Sequence, residues 1–281
     1  MIKRLPPLVQ DLLGAPLRFR RHNGLHLSAG VAFYALLSVA PLTYLIASLF
    51  GRLLRDGDAQ QRIVESAAAW LPTRASASFE ELVGSMRTDT PLLWLAIPAL
   101  AWAASSVFAS LDLAVNIAFE RARQRRFAWT RLKAFALIGI GLLALWASSL
   151  VAAVLPAIER LAWERELLPD GVRLAGGISR LFLLLLPFVL FTIFYKILPR
   201  GNVSIRDCAA GAALSLLLWQ GLYLAFGMLV SRSPALGLVN GSLAAIMAVL
   251  LWVYSAVVVV LLGAEFAAIR AERRAEANSS H

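Results

Sequence analysis

Apolar residues along this chain come in long unbroken blocks, not at the alternating spacing of a half-buried soluble helix or strand. Residues 27–51, LSAGVAFYALLSVAPLTYLIASLFG, run for 25 positions without a charge. At about 1.5 Å per helical residue this block crosses the roughly 30 Å hydrocarbon core of a bilayer. Five more apolar stretches follow, at about 91–119, 132–155, 178–198, 208–230 and 243–268, separated by charged or proline-containing segments. In lipid, such a block satisfies its backbone hydrogen bonds as a helix. The expected fold is therefore all-α: a polytopic membrane helical bundle with six transmembrane helices plus short amphipathic interfacial helices.

The segments between the blocks complete the expected organisation. Residues 1–26 form an amphipathic N-terminal segment on the cytoplasmic membrane surface, with Leu5, Leu8, Val9 and Leu12 on one face. Residues 27–268 are the six-span domain, and 269–281 a cytoplasmic tail. A cleaved signal peptide would have a shorter apolar region and a small-residue cleavage site, so the first span is expected to be retained. In the long outer loop, Phe79, Leu82, Val83 and Met86 follow helical spacing behind a capping box of Ser78 and Glu81. Ile63, Ala67, Trp70 and Leu71 precede Pro72, and Ile158, Leu161, Ala162 and Leu168 make a third amphipathic stripe at 156–168. These outer helices either lid the bundle or gate a substrate.

Charge sets the expected orientation. The chain has 27 Lys and Arg against 17 Asp and Glu, a net charge of +10. The termini, 119–133 and 196–207 together hold 17 basic residues and five acids, whereas the opposite loops hold ten of each. Positive residues collect on the cytoplasmic side, which puts both termini there. Within FERARQRRFAWTRLK (119–133), Arg121, Arg123, Arg125 and Arg126 are candidates for anionic lipid headgroups. Interleaved Phe127 and Trp129 resemble a nucleic-acid surface. Beside a span, lipid is the expected partner and nucleic acid is not.

Composition leaves little for catalysis. One cysteine, Cys208, and three histidines, His22, His26 and His281, assemble no metal cluster, and the P-loop pattern G-x-x-x-x-G-K-[ST] is absent. No enzyme activity and no cofactor are expected, and any transport is not driven by nucleotide hydrolysis in this chain.

Several polar groups lie inside the spans. Pro41, with Tyr34 and Ser38, bends the first span either as a packing kink or as a hinge. Ser105, Asp112 and Asn116 fall within about 40° on one helix face, which should point into the bundle because a lipid-facing acid costs about 2.5 kcal/mol or more. Asp112 and Glu265 each sit near the cytoplasmic end of a span, where the helix dipole disfavours negative charge. Lys196 is at matching depth to compensate them, with Arg200 and the arginines before the first span as further candidates. The cluster is either a static ion-pair clamp or the inner end of a polar path that takes an anionic headgroup. Gly211, Gly221 and Gly263 permit close helix contacts. LAWAAS (100–105) and LLWVYS (250–255), with Ala-Gly pairs at 29–30 and 210–211, form a faint echo, either chance or a parallel repeat of the transporter kind.

Five motifs resemble the YihY/BrkB family of bacterial inner-membrane proteins over nearly the whole chain. They are GVAFYALLSVAPL (30–42), the second span with Trp102, Ser105, Asp112 and Asn116, YKILPRG (195–201), the Ala-Gly-Ala opening of the fifth span, and SLAAIMAVLLWVYSAVVVVLLGAE (242–265). The family usually has Tyr-Gly before the last motif; here it is Asn240-Gly241. Proteins of this kind are often labelled ribonuclease BN, which the absence of a His/Asp metal cluster makes a misnomer. The resemblance implies a link to virulence or serum resistance and, for some members, movement of lipids or lipopolysaccharide precursors. The expected function is a transporter or flippase for a lipid or other amphipathic anionic substrate. The alternative is a non-transporting scaffold or envelope-integrity factor.

Overall fold

A computed structural model describes residues 6–53, 93–120, parts of 136–159, 174–232 and 242–279. Among the described residues the secondary structure is helical, with no strand. We number the helices α1 (Pro7–Arg21), α2 (Gly24–Leu53), α3 (Leu93–Ala118), α4 (Gly139–Val151), α5 (Leu174–Ile197), α6 (Ile205–Arg232) and α7 (Ser242–Ser279). By length and composition, Ile97–Ala118, Ile205–Met228 and Met247–Asn278 are long and apolar enough to cross a membrane. Shorter apolar helices, Gly24–Val39, Gly139–Val151 and Leu184–Ile197, stand where spans one, three and four are expected. The all-α class is thus seen, and a membrane-length apolar helix at three of the six expected places. The outer helices expected within 52–90, most of that at 156–168, and Arg121, Arg123, Arg125 and Arg126 lie outside the described residues.

The helix α7 is the centre of the packing. It touches α1, α2, α3, α5 and α6, while α2 pairs with α3 and α5 with α6. Small residues make this possible: Ala114, Ala118, Ala212, Ala264, Ala267 and Ala268 are all buried at these contacts. Where lipid is as apolar as leucine, close backbone approach supplies the contact energy that water supplies to soluble cores. Large apolar side chains accordingly face outward, with Leu217 70% and Trp146 67% exposed, whereas Asp112, Asn116, Asp207 and Glu265 are buried. That inverts the distribution of a water-soluble domain.

Two helices extend beyond the apolar blocks they contain. α1 and α2 are joined by a corner at His22 and Asn23, and α2 begins at Gly24. Asn23 takes the left-handed φ of 54°, and the missing Cβ of Gly24 leaves room for the Phe19 ring. At the other end, residues 269–279 form the last turns of α7. No helix-breaking residue follows Ala268, and Arg273 of this extension lies along α1.

Candidate functional site

The polar residues of the bundle gather where α3, α5 and α7 end, and α1 lies across them. Three groups can be followed, each built by a short motif.

The first is made by YKILPRG. After α5 ends at Ile197 the chain turns, with Gly201 at φ 95°, and every polar side chain of the motif has a partner. The Tyr195 hydroxyl lies 2.6 Å from Ser215 Oγ on α6 and donates to the Val260 carbonyl of α7 at 2.7 Å. Lys196 donates to Asn202 Oδ1 and the Val203 carbonyl, closing its own turn. Its ammonium is therefore not the partner of Asp112 or Glu265 that depth along the helices suggested: the turn folds back and offers it nearer oxygens. Arg200 reaches Asp112 Oδ2 at 2.8 Å.

Asp112 and Asn116 on α3 hold this turn from the other side. Asn116 Oδ1 accepts from the Arg200 backbone N–H at 2.9 Å, and its Nδ2 donates to the Asp112 carbonyl at 2.6 Å and to Oδ1 at 3.2 Å. Both side chains face into the bundle, as their shared helix face requires. Ser105 does not join them: its hydroxyl donates back to the Ala101 carbonyl of its own helix at 2.6 Å. Ser38 does the same toward Ala35, and Tyr34 packs edge-on against Trp102 at 6.0 Å. Pro41 lies within α2, which runs on through it as helix.

The second group surrounds Glu265, 2% exposed. Its Oε1 lies 2.7 Å from His22 Nδ1 and its Oε2 3.5 Å from Arg18 Nε. An ionised Glu265 accepts from Nδ1–H. Arg18 also forks onto Glu272 at 2.5 and 3.0 Å and reaches Glu120 at 3.2 Å, so one guanidinium meets three carboxylates from the ends of α3 and α7. Arg21 adds a contact to Glu120 at 2.8 Å. The sequence reading pointed to the arginines before span one but missed His22. A signal existed: Arg18 and His22 are four apart, and Glu265 and Glu272 seven apart, both single-face spacings.

The third group was not anticipated. Asp11 on α1 pairs with Arg273 at 2.8 Å, and Asp207 in the first turn of α6 pairs with Arg274 at 3.0 Å. Burial pushes the Asp11 carboxyl above its ordinary value, and Arg273 and Arg270 pull it partly back. Among the described residues no three His, Cys, Asp or Glu side chains gather as metal ligands.

Above these groups, between α3, α4, α5 and α7, lies an apolar cavity of about 400 Å³. Leu111, Phe194 and Val260 line it and lead directly into the polar ends of their helices, while Gly141, Phe191 and Ala256 line it elsewhere.

Comparison with known proteins agrees with this membrane architecture. The family model described as "Virulence factor BrkB" matches residues 15–281. The chain is similar to a UPF0761 membrane protein of Chromohalobacter salexigens, 28% identical over 258 residues, which cover 92% of this chain and 62% of the relative. A UPF0761 membrane protein of Rhodospirillum centenum is 29% identical over 291 aligned positions, 98% of this chain and 61% of the relative. One from Yersinia pestis is 31% identical over 167 residues, 59% of this chain and 55% of the relative. The chain thus spans about three-fifths of the length of these relatives. No solved structure matches it.

Proposed function

The chain belongs to the virulence factor BrkB family of membrane proteins, and from that premise we propose that it moves a lipid or other amphipathic anionic substrate across the bacterial inner membrane. In this reading the chain spans six times with both termini cytoplasmic, performs no enzymatic reaction, and draws on a gradient or a partner for energy. The observation that carries it is the 400 Å³ apolar cavity, whose lining residue Leu111 directly precedes Asp112, the partner of Arg200. An acyl chain fits an apolar space within a bundle, and its anionic headgroup then meets Arg200, with Lys196 four residues earlier at the end of α5. Burying apolar chain surface contributes about 25 cal/mol per Å², and the paired carboxylate limits how tightly a headgroup is held, so that it can leave again.

A second reading has its own observation. Arg18 meets three glutamates and Arg200 is held by Asp112, so the charges fasten α1, α3, α5 and α7 as a clamp would. The protein is then a scaffold that supports the envelope without moving anything.

Purified protein in liposomes with labelled anionic phospholipid separates the two. We expect the parent to move label between leaflets. Ala256→Trp, which fills the cavity at a strain cost of about 1–3 kcal/mol, should leave a folded protein at background rate. A parent that leaves the leaflet distribution unchanged, or an Ala256→Trp variant as fast as the parent, sinks the transport reading in favour of the scaffold.

A further inference from the structure

A second cavity, of about 290 Å³, lies away from the apolar one, where α1, the start of α6 and the end of α7 meet. Asp11, Asp207, Arg270, Arg273 and Arg274 line it, together with Leu8. Its charges do not cancel, since three guanidinium groups face two carboxylates. Asp207 is 1% exposed, and although Oδ2 is paired with Arg274, its buried Oδ1 has no hydrogen-bond partner. Asp11 Oδ1 lies 2.8 Å from Arg273 but is likewise outside hydrogen-bonding geometry. Arg270 stands over the Phe266 ring, 6.0 Å from its centroid.

A buried carboxylate oxygen without a donor keeps its full desolvation penalty, so it marks a place for a donor. An anion alone answers the surplus arginine and leaves Asp207 Oδ1 unmet. A cation alone answers Asp207 and meets three arginines. A zwitterion answers both. The position points to the source of such a group: Leu8, Leu12, Leu13 and Leu17 of α1 are exposed on its outer side, as on a helix lying in a membrane interface.

We propose that this cavity binds a phosphoethanolamine headgroup, its phosphate on Arg270 and Arg273 and its primary ammonium donating to Asp207. The volume equals that of about ten waters at about 30 Å³ each, ample for a headgroup of about eight non-hydrogen atoms. A choline headgroup has no N–H to donate, and a glycerol headgroup has no cation. The inference does not depend on lipid movement: a protein that transports nothing would still bind here.

Native mass spectrometry of the full chain in detergent tests it, with dihexanoyl phosphatidylethanolamine, phosphatidylcholine and phosphatidylglycerol as probes and O-phosphoethanolamine as soluble competitor. The ethanolamine lipid should bind about tenfold more tightly than the other two, about 1.4 kcal/mol. Asp207→Asn should abolish that preference. Ala277→Trp, at an exposed position on the cavity wall, should lower occupancy without changing the melting temperature. Competition by O-phosphoethanolamine would make the headgroup sufficient by itself, and failure to compete would assign the site to membrane lipid; both agree with the proposal. Equal affinity for the three lipids, or an ethanolamine preference that survives in folded Asp207→Asn or in Ala277→Trp, overturns it. Should Asp207→Asn not fold, Ala277→Trp and the headgroup ranking decide.

Discussion

Gly263 shows how much one residue carries in this bundle. A Cβ there would fall on Ser215 Oγ and come within 2.5 Å of the Tyr195 hydroxyl and 2.9 Å of the Gly211 carbonyl. A Cβ on Gly211 would in turn lie 2.6 Å from the Gly263 carbonyl. The two glycines are the point where α6 and α7 cross, and the hydroxyl pair of Tyr195 and Ser215 occupies the space left beside them. Gly263→Ala should therefore cost about 1–3 kcal/mol and lower the melting temperature in detergent. Gly221 has nothing within 4 Å of where its Cβ would be, so Gly221→Ala should be neutral or stabilising by up to about 1 kcal/mol. Equal melting shifts for the two variants would mean that the crossing is not where the structure puts it. Both glycines are visible in the sequence as small residues in a span, but their difference is not, because it depends on which neighbour comes within 3 Å.

Among the elements, α1 and its partner α7 are the pair that the linear pattern describes least well. The apolar stripe of α1 predicts a helix on the membrane surface, and Leu8, Val9 and Leu12 are indeed exposed. The opposite face, with Asp11, Ala15 and Phe19 buried, packs on the extension of α7. Arg18 is the fastening, 14% exposed and shared by Glu120, Glu265 and Glu272. Arg18→Ala leaves the buried Glu265 with His22 alone and should destabilise by about 3 kcal/mol, near the low end for a broken buried pair. Arg21→Ala removes only an exposed pair with Glu120 and should cost at most about 1 kcal/mol. Adding Glu265→Gln to Arg18→Ala should recover part of the loss, since the second change removes the uncompensated charge. Thermal melts of the three variants in one detergent check this, and additive losses in the double variant would show that Arg18 and Glu265 do not act together.

For the whole molecule, the charge bias of the loops predicts one orientation. Glu120, Arg200, Asp207 and Glu272 lie at the ends of α3, α5, α6 and α7 that the charge bias assigns to the cytoplasm. In a Cys208→Ser background, a cysteine at Ser76 should react with an impermeant thiol reagent in cells with a permeabilised outer membrane, and one at Ser279 should not. Equal labelling at both positions would rule out an arrangement with 52–90 outside and the end of α7 inside.

The sequence by itself determined the solvent and the class of fold. Uncharged runs of more than twenty residues, such as 27–51, are costly in water and have few alternatives to a helix in lipid, so neither conclusion needs a neighbour. The inward face of Asp112 and Asn116 was equally legible, because helical spacing places them together and lipid penalises the other choice. What the tertiary structure decided was pairing. Lys196, Arg200, Arg18 and His22 lie at similar depths, and depth alone does not choose among them. The choice came from the fold of the 198–201 turn, which sends Lys196 to its own loop and Arg200 to Asp112, and from the corner at Asn23, which lays α1 across Glu265. Such contacts join residues up to 266 apart in the chain, and no periodicity within one helix records them.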